Sequence, residues 1–268
     1  MKKISELICL QNRTAIVTGG AGHIGLAICE TLIELGATVW VMDLNQSACD
    51  ERCSFLNSHG FSGKALPLLA DLAKENETVS AIEHVSKNAC RLDILIHAAA
   101  FIGTTKYPGW AVPFEEQTVD AWDAAIRINM TAPFIMVKAS LPYMDRTGKA
   151  SIIFINSIYG RQGPDNRLYE GTGMVTPAAY SASKGGLGQL TRHFSTILAP
   201  DIRVNSITAG GVERGQPDSF RQRYIERTPL KRMATEEDFK GAVAYLASDL
   251  SSYVTGSNID VDGGWTSW

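Results

Sequence analysis

The sequence contains no apolar run of the roughly 20 residues that a membrane-spanning helix needs. The segment after Lys2 and Lys3 is broken by Ser5, Glu6 and Gln11, so it lacks the apolar core of a secretion signal. The formal net charge is only −3, which gives no reason to expect nucleic acid or an anionic membrane as a partner. We therefore expect a cytoplasmic protein that binds neither.

Cysteine is also sparse, with five residues and no Cys-x-x-Cys pair. Cys49 and Cys53 are expected to share one helix face, but no pair of histidines stands near them, so we expect no metal site. All five cysteines, Cys90 included, are predicted to be reduced thiols.

Short β-branched runs alternate with stretches of helical periodicity along the whole chain. The predicted strands are 14–17, 38–42, 65–70, 94–96, 151–155, 202–205 and 258–261, and the first helix is predicted over 24–35. Strands that are apolar throughout are typical of a parallel sheet covered by helices on both faces. With no repeat, linker or low-complexity segment, the sequence predicts one α/β domain over 1–268, with a doubly wound, seven-stranded parallel sheet.

Two connections, 101–118 and 160–177, are longer than strand–helix turns require. In a compact domain, long loops are usually functional or disordered. Both follow predicted strands at the sheet edge where open α/β sheets bind ligands, so we expect them to border a binding site.

A glycine-rich turn, Thr18-Gly19-Gly20-Ala21-Gly22-His23-Ile24-Gly25, joins the first predicted strand to the first helix. Glycines let the backbone approach a pyrophosphate, and the helix N-terminus supplies free N–H groups. Asp43 ends the second strand, where a carboxylate can bind ribose hydroxyls and would repel a 2′-phosphate. We therefore predict NAD(H) in preference to NADP(H). The alternatives are an ordinary glycine turn and, for Asp43, a helix cap or a solvated residue.

Tyr180 and Lys184 are spaced to lie on one face of a helix. A nearby ammonium favours the phenolate and lowers the phenol pKa, so such a tyrosine can exchange a proton with an alcohol or carbonyl oxygen. The spacing is common by chance, and a surface helix is the alternative. Ser157, which ends the fifth predicted strand, can hydrogen-bond the reacting oxygen. Asn129 lies in a long helical stretch, and its amide needs a buried partner or a water.

These pieces resemble the short-chain dehydrogenase/reductase family, compact subclass, over essentially the whole chain and in the family's order. The matching residues are Thr18-Gly19…Gly25, Asp43, Asp71-Leu72, Ala98-Ala99, Asn129, Ser157, Tyr180…Lys184, Asn205…Gly210, Thr255-Gly256 and Asp262-Gly263-Gly264. The resemblance implies a Rossmann fold, an oxidoreductase of CH–OH groups with NAD or NADP, and a homodimer or homotetramer.

The resemblance also implies the roles of individual residues. Tyr180 would be the acid/base and Ser157 the anchor of the substrate oxygen. Lys184 would hold the nicotinamide ribose and tune Tyr180, while Asn129 would bind a water for proton relay. The residues implied to contact the cofactor are Gly19, Ala21, Gly22, His23, Ile24, Asp43, Leu44, Asp71, Leu72, Ala98, Ala99, Ala100, Tyr180, Lys184, Gly210 and Val212.

The sequence departs from the family's pattern in the cofactor half. His23 stands where a glycine is usual, and could touch phosphate or be simply exposed. His97-Ala98-Ala99-Ala100 replaces Asn-Asn-Ala-Gly, and we expect His97 to be structural. Ala209 replaces a proline, and Arg214 displaces a threonine that binds the carboxamide.

Ser157 and Tyr180 are also further apart than is usual in the family. We call the extra segment, residues 164–174, the insert. It carries Arg167, Tyr169, Glu170 and Thr172, so we expect it to line a hydrogen-bonding substrate pocket. The insert resembles that of enzymes from bacterial flagellin-modification and surface-polysaccharide clusters, which implies an amino sugar, nucleotide sugar or similar polyol. The alternative is a solvated surface loop.

The predicted function is reversible hydride transfer between NAD(H) and a polar secondary alcohol or ketone, with a sugar or nucleotide sugar as the expected substrate. One alternative is a 3-oxoacyl or small-ketone reductase of the same fold, which a preference for NADPH and short 3-keto esters would favour. Another is a regulator that binds the cofactor without catalysis, although such a protein is expected to lose Tyr180 or Lys184. In the apolar tail 264–268, Trp265 and Trp268 are expected to meet a neighbouring subunit or a local groove.

Overall fold

A computed structural model describes residues 1–89, 91–102 and 105–268 of the chain. The expectation of a reduced thiol at Cys90 lies outside the described residues. So does the part of the first long loop at Gly103 and Thr104.

Seven parallel strands form one sheet in the order β3-β2-β1-β4-β5-β6-β7. They are β1 (Thr14–Thr18), β2 (Thr38–Asp43), β3 (Lys64–Leu69), β4 (Ile94–His97), β5 (Ala150–Ser157), β6 (Ile202–Ala209) and β7 (Asn258–Val261). All seven predicted strands are confirmed. Strands β5 and β6 run further towards their C-terminal ends than predicted, because polar residues there, such as Asn156 and Ser206, interrupt the apolar pattern but still pair within the buried sheet.

Helices connect the strands. They are α1 (Ile4–Ile8), α2 (His23–Glu34), α3 (Gln46–Ser58), α4 (Glu75–Ala89), α5 (Val119–Ile126), α6 (Ala132–Ser140), α7 (Ala178–Ile197), α8 (Asp218–Arg227) and α9 (Lys240–Ala247). Within the described ranges, no helix is both long enough and apolar enough to cross a membrane.

Helices cover the sheet on both faces, as the doubly wound prediction requires. One core packs α2, α3 and α9 against the sheet, with Leu32 and Val243 fully buried. The other packs α4, α6 and α7, with Met136 and Leu187 fully buried. Each strand therefore gains apolar burial on both sides, which explains why β1 and β5 are buried along their whole length.

The helical stretch around Asn129 is not one regular helix. A π-helical turn, Arg127–Thr131, separates α5 from α6, and the Ala132 N–H donates five residues back to the Arg127 carbonyl. Pro133 stands in the first turn of α6 and has no N–H to donate to the Asn129 carbonyl, which favours this change of pattern. The π-turn places Asn129 fully inside the protein.

The two tryptophans of the tail have different surroundings. The ring of Trp265 is buried and stacks on Tyr224 with centroids 4.2 Å apart, and the Arg227 guanidinium lies 4.6 Å from the Trp265 ring. Trp268 is 67% exposed. A local groove, formed by α8 of the same chain, therefore accounts for Trp265, and only Trp268 is open to solvent.

Candidate active site

The predicted site residues gather at the C-terminal edge of the sheet, around the ends of β1, β4 and β5. The sheet order reverses between β1 and β4, which opens a crevice there. Thr18 ends β1, His97 ends β4 and Ser157 ends β5, so the three side chains share one edge.

The glycine-rich turn is packed too closely for larger residues. Gly19 has a φ of +63°, and a Cβ there would come within 2.8 Å of the Ala99 backbone. A Cβ on Gly25, in the first turn of α2, would lie 1.9 Å from the Gly19 carbonyl oxygen. These contacts explain the glycine pattern and bring backbone close to the cavity that the turn borders.

Asp43 fixes the turn through backbone hydrogen bonds. Its Oδ2 accepts from the Ala21 N–H at 3.3 Å, and its Oδ1 accepts from the Leu44 N–H at 2.8 Å. The predicted contact residue Ala21 thus directs its amide at Asp43, which holds a carboxylate at the edge of the cavity.

A cavity of about 490 Å³ lies between this turn and β4. Seven of the predicted cofactor residues line it, namely Gly19, Asp43, Leu44, Asp71, Leu72, Ala99 and Ala100. Its volume lies within the ordinary range for small-molecule sites. The cavity, the close-packed glycines and the carboxylate at its edge together fit the adenosine and phosphate parts of a dinucleotide.

Thr18 ties β1 to the turn after β4 and determines the tautomer of His97. The Thr18 hydroxyl oxygen accepts from the Ala98 and Ala99 N–H groups, each at 3.2 Å, and lies 3.0 Å from His97 Nδ1. Because the two amides occupy both lone pairs of the oxygen, its proton is donated to Nδ1. The neutral ring therefore carries its own proton on Nε2.

His97 is buried and stays neutral. Burial, assisted by the nearby Lys184, lowers the pKa of His97 to about 3, and the Ile128 carbonyl opposes the shift only in part. This environment agrees with the structural role expected of His97.

Tyr180 and Lys184 lie one turn apart on α7, and Tyr180 is hydrogen-bonded to Ser157. Neither of them lines the 490 Å³ cavity. Lys184 is 3% exposed, its Nζ donates to the Ile155 carbonyl at 2.8 Å, and it lies 5.8 Å from the centroid of the Tyr180 ring. Burial lowers the pKa of Lys184 to about 8.

The pKa of Tyr180 differs from the sequence-based expectation. Burial raises it, and a hydrogen bond from Ser157 opposes the rise in part. The expected lowering does not decide the direction, because the cost of burying a phenolate outweighs the hydrogen bond from Ser157.

The Asn129 side chain is satisfied by protein partners. Its Oδ1 accepts from the Phe101 N–H at 2.7 Å, and its Nδ2 donates to the Phe101 carbonyl and to Ser183 Oγ. Ser183 in turn donates to the Tyr180 carbonyl at 2.8 Å. Both amide protons are used, so this side chain clamps the first long loop to the catalytic helix. The binding of a relay water at Asn129 stays a prediction.

Ser157 is held at the end of β5 by the turn that follows it. Its N–H donates to Asn156 Oδ1, and its Oγ accepts from the Tyr159 N–H at 3.2 Å. A Cβ on Gly160 would lie 2.7 Å from the Lys184 carbonyl carbon, so the glycine lets the turn pack directly on α7. This contact brings Ser157 beside Tyr180.

The insert forms one wall of a cleft of about 670 Å³. Of its four predicted polar residues, Tyr169 and Glu170 line the cleft. Arg167 instead pairs with Asp165 and is largely exposed, and Thr172 donates to the Tyr169 carbonyl. The prediction of a polar wall therefore holds for two of the four side chains.

Arginines of α8 fasten the insert. Arg223 donates to the carbonyls of Arg167, Leu168 and Glu170, with the shortest bond, 2.7 Å, to Glu170. Arg227 pairs with Asp165, whose pKa is lowered chiefly by its hydrogen bond with Arg167. These contacts fasten the insert to α8 at Asp165 and at three of its carbonyls, while its exposed residues face solvent.

The remaining predicted cofactor residues lie around the glycine turn and after β6. Gly210 lines a separate cavity of about 430 Å³, and Val212 forms a β-bridge with Ala234. Arg214 Nη2 lies 3.1 Å from Glu236 Oε1, and the exposed His23 ring lies 3.9 Å from the same oxygen. Gly22, His23, Ile24 and Ala98 do not line the 490 Å³ cavity.

Four contributors to the site were missed at the sequence level, namely Asn156, Gly160, Ser183 and Arg223. Ser183 lies inside the Tyr-x-x-x-Lys spacing and Gly160 follows Ser157 closely, so the neighbouring motifs could have indicated both residues. No sequence motif indicates Arg223, because it lies 53 residues from its partner Glu170.

Comparisons with known proteins agree with this geometry. The family model described as enoyl-(acyl carrier protein) reductase matches residues 19–266. The cis-4-hydroxycyclohexanecarboxylate dehydrogenase of Sinomonas cyclohexanicum is 33% identical over 259 residues, which cover 95% of this chain and 96% of that protein. The 3-oxoacyl-[acyl-carrier-protein] reductase of Thermotoga maritima is 30% identical, over 95% of this chain and 98% of its own length.

A solved structure extends the comparison to three dimensions. The gluconate 5-dehydrogenase of Burkholderia cenocepacia, crystallised with NADP and tartrate, superposes with a TM-score of 0.86 at 26% identity. The match covers 99% of this chain and 100% of that one. The fold is therefore shared with that dehydrogenase along its full length.

Proposed function

The chain belongs to the short-chain dehydrogenase/reductase family, and from that premise we propose that it transfers hydride between a polar secondary alcohol or ketone and a nicotinamide cofactor, with NAD(H) preferred. The observation that carries the proposal is the grouping of Tyr180, Lys184 and Ser157 at the same edge of the sheet as the glycine turn. The cofactor, when bound, accepts or supplies the hydride.

The side chains of this protein bind the reacting oxygen and transfer its proton. Ser157 donates a hydrogen bond to the substrate oxygen, and Tyr180 gives that oxygen a proton in reduction or takes one in oxidation. The positive charge of Lys184 favours the phenolate that forms when Tyr180 has given its proton away. The Asn129 clamp holds the first long loop against α7 and so keeps Tyr180 in place.

The raised pKa of Tyr180 sets the pH dependence of this step. The phenol stays protonated at neutral pH, so it is ready to act as the acid in carbonyl reduction. The phenolate needed for oxidation forms only as the pH rises. We expect the oxidation rate to increase with pH through the alkaline range, and the reduction rate to fall over the same range.

Asp43 supports the preference for NAD(H). Its carboxylate is held by two backbone amides at the cavity edge, so it cannot turn away without losing both hydrogen bonds. A 2′-phosphate placed against this carboxylate would meet a fixed negative charge. The related gluconate 5-dehydrogenase was crystallised with NADP, so the cofactor preference of this chain rests on Asp43.

The cleft beside the insert supports a polar substrate. It presents Gln117, Asn166, Tyr169 and Thr176 together with apolar groups such as Met174. A hydroxylated ring or chain matches this mixture, because its oxygens can bond the polar side chains while its carbon skeleton packs on the apolar ones. A sugar or similar polyol belongs to that class.

A 3-oxoacyl reductase remains the second candidate function. The relative from Thermotoga maritima and the description of the matching family model favour it. Higher kcat/KM with NADPH and short 3-keto esters than with NADH and polyol-derived ketones would establish it instead.

We also propose that the protein is a homodimer or homotetramer. Exposed apolar side chains cluster on and near α5 and α6, with Val119 at 74%, Trp122 at 42% and Phe134 at 48% exposure. Such groups are normally covered by a partner. Size-exclusion chromatography with light scattering measures the assembly, and a monomer would contradict the proposal.

The test of the main proposal is a panel of NAD-linked oxidations followed by absorbance, across free sugars, amino sugars, nucleotide sugars, simple alcohols and hydroxyacyl compounds. Tyr180→Phe serves as the matched variant. It should reduce turnover by roughly 10²- to 10⁴-fold while leaving NADH affinity within about twofold. A variant with a near-normal rate would remove Tyr180 from the mechanism.

A further inference from the structure

Three hydroxyl groups meet at the mouth of the cleft, where the insert approaches the catalytic helix. Tyr159 comes from the turn after β5, two residues beyond Ser157, Tyr169 comes from the insert, and Thr176 precedes α7. Thr176 Oγ1 donates to the Tyr169 hydroxyl at 2.8 Å, and the Tyr169 and Tyr159 hydroxyls are hydrogen-bonded to each other.

Counting protons in this group shows that one is left over. Three hydroxyls carry three protons, and the two hydrogen bonds between them use two. Thr176 also lies close enough to Tyr159 for a hydrogen bond from it to oppose the rise of the Tyr159 pKa, but its single proton is directed at Tyr169. Because burial raises the pKa of both phenols, both keep their protons at neutral pH. One phenolic O–H therefore remains to donate to a group outside the trio.

The leftover proton belongs on the cleft side. Tyr169 lines the cleft, whereas Tyr159 does not. The Tyr169 oxygen accepts a hydrogen bond from Thr176. When Tyr159 donates a second hydrogen bond to the Tyr169 oxygen, both lone pairs of that oxygen are filled. The Tyr169 proton then points away from the trio and into the cleft. Ala178 and Ser181, which flank Tyr180 on α7, line the same cleft as Tyr169. The outward donor therefore faces the part of the cleft that borders the catalytic helix.

We propose that Tyr169 is a specificity-determining residue whose hydroxyl donates to a second oxygen of the substrate, so that diols and hydroxy ketones are favoured over alcohols with one oxygen. The inference rests on the proposed function and deepens it. Thr176 is a positioning residue, because its hydroxyl donates to Tyr169 and so directs the Tyr169 proton away from the pair. In the oxidation of a diol, the reacting carbon loses its hydride to NAD⁺ and its hydroxyl proton to Tyr180, and the second oxygen only accepts a hydrogen bond.

The proposal is tested with matched probes that differ by one oxygen: cyclohexanol and the 1,2-, 1,3- and 1,4-cyclohexanediols, each oxidised with NAD⁺. At least one diol should exceed cyclohexanol in kcat/KM by about tenfold, the size expected for one well-placed hydrogen bond. Tyr169→Phe should lower the ratio of kcat/KM for that diol to kcat/KM for cyclohexanol by about the same tenfold.

Tyr159→Phe is the matched control, because one phenolic proton then still remains for the cleft. It should keep most of the preference for the diol. Both phenylalanines retain the ring packing, including the contact of Tyr169 with Phe220, and circular dichroism and thermal melts check that each variant is folded.

The outcomes separate the two proposals. Turnover with an equal preference for diol and cyclohexanol, or a diol preference that Tyr169→Phe leaves intact, would overturn the role of Tyr169 and leave the proposed function standing. Absence of turnover with every probe would count against both.

Discussion

The cofactor side and the substrate side of Tyr180 are held together by different kinds of contact. On the cofactor side the contacts are made by backbone atoms, as in the packing of Gly25 on Gly19 and the hydrogen bonds that Asp43 accepts from two backbone amides. On the substrate side, long side chains such as Arg223 and Arg227 hold an insert in place. The glycine turn tolerates few substitutions, because its backbone atoms are in close contact. The insert is held by side chains, so its contacts can be changed one residue at a time. Substrate choice can therefore change without disturbing the cofactor half.

The strongest test of this contrast is an added methyl group on the cofactor side. Gly25→Ala would place its Cβ 1.9 Å from the Gly19 carbonyl oxygen, so the turn must move. We expect a loss of about 3 kcal/mol of stability, or a decrease in NADH affinity of at least about a hundredfold. Urea denaturation and NADH titration measure the two effects.

Gly241→Ala provides the control, because Gly241 is also helical but a Cβ there meets nothing within 4 Å. It should leave NADH affinity unchanged and add up to about 1 kcal/mol of stability. Equal behaviour of the two variants would contradict a close-packed glycine turn.

A smaller effect is expected when only a charge is removed from the cofactor side. Asp43→Asn keeps a side-chain oxygen acceptor but removes the repulsion of a 2′-phosphate. The ratio of kcat/KM for NAD⁺ to that for NADP⁺ should fall by about tenfold or more, which corresponds to about 1.4 kcal/mol. Asp50→Asn, an exposed carboxylate on α3, should leave the ratio unchanged. A wild-type enzyme that favours NADP⁺ would show that Asp43 does not determine the preference.

His97 at the end of β4 makes the free energy of unfolding depend on pH in the acidic range. Its pKa is about 3 in the folded chain and about 6.5 when unfolded, so the unfolded state binds the extra proton over that interval. The stabilising contribution is complete above pH 6.5 and is lost as the pH falls towards 3. Between pH 6.5 and 5 the loss is about 2 kcal/mol.

Urea denaturation at the two pH values measures this loss. His97→Asn should flatten the dependence by about the same 2 kcal/mol, whereas the variant of an exposed histidine, His59→Asn, should not. Parallel curves for wild type and His97→Asn would show that His97 is not held neutral.

The smallest effect is expected on the substrate side. Arg223→Ala removes the hydrogen bonds to three carbonyls of the insert. We expect a several-fold increase in KM for the alcohol, a loss of about 1 kcal/mol of stability, and no change in NADH affinity. Arg221→Ala, which removes only surface ion pairs of the same helix, should leave KM unchanged. A fall in NADH affinity with Arg223→Ala would show that the two sides are not independent.

The same division explains what could be predicted from the sequence. The strands, the glycine turn, Asp43 and the Tyr180–Lys184 pair have local signatures, because backbone conformation and proton chemistry restrict residue types at fixed spacings. The direction of the Tyr180 pKa was not predictable, since it depends on burial that only the assembled fold creates. The partner of the insert was not predictable either, because Arg223 reaches it across a long sequence separation.

The stack of Trp265 on Tyr224 gives the substrate side an optical signal of its own. The indole lies against a phenol ring and beneath the guanidinium of Arg227, which also pairs with Asp165 of the insert. Any displacement of α8 changes the surroundings of this fluorophore. In a variant that carries Trp40→Phe, Trp110→Phe, Trp122→Phe and Trp268→Phe, fluorescence from Trp265 can therefore follow the arrival of a substrate without a label and without turnover.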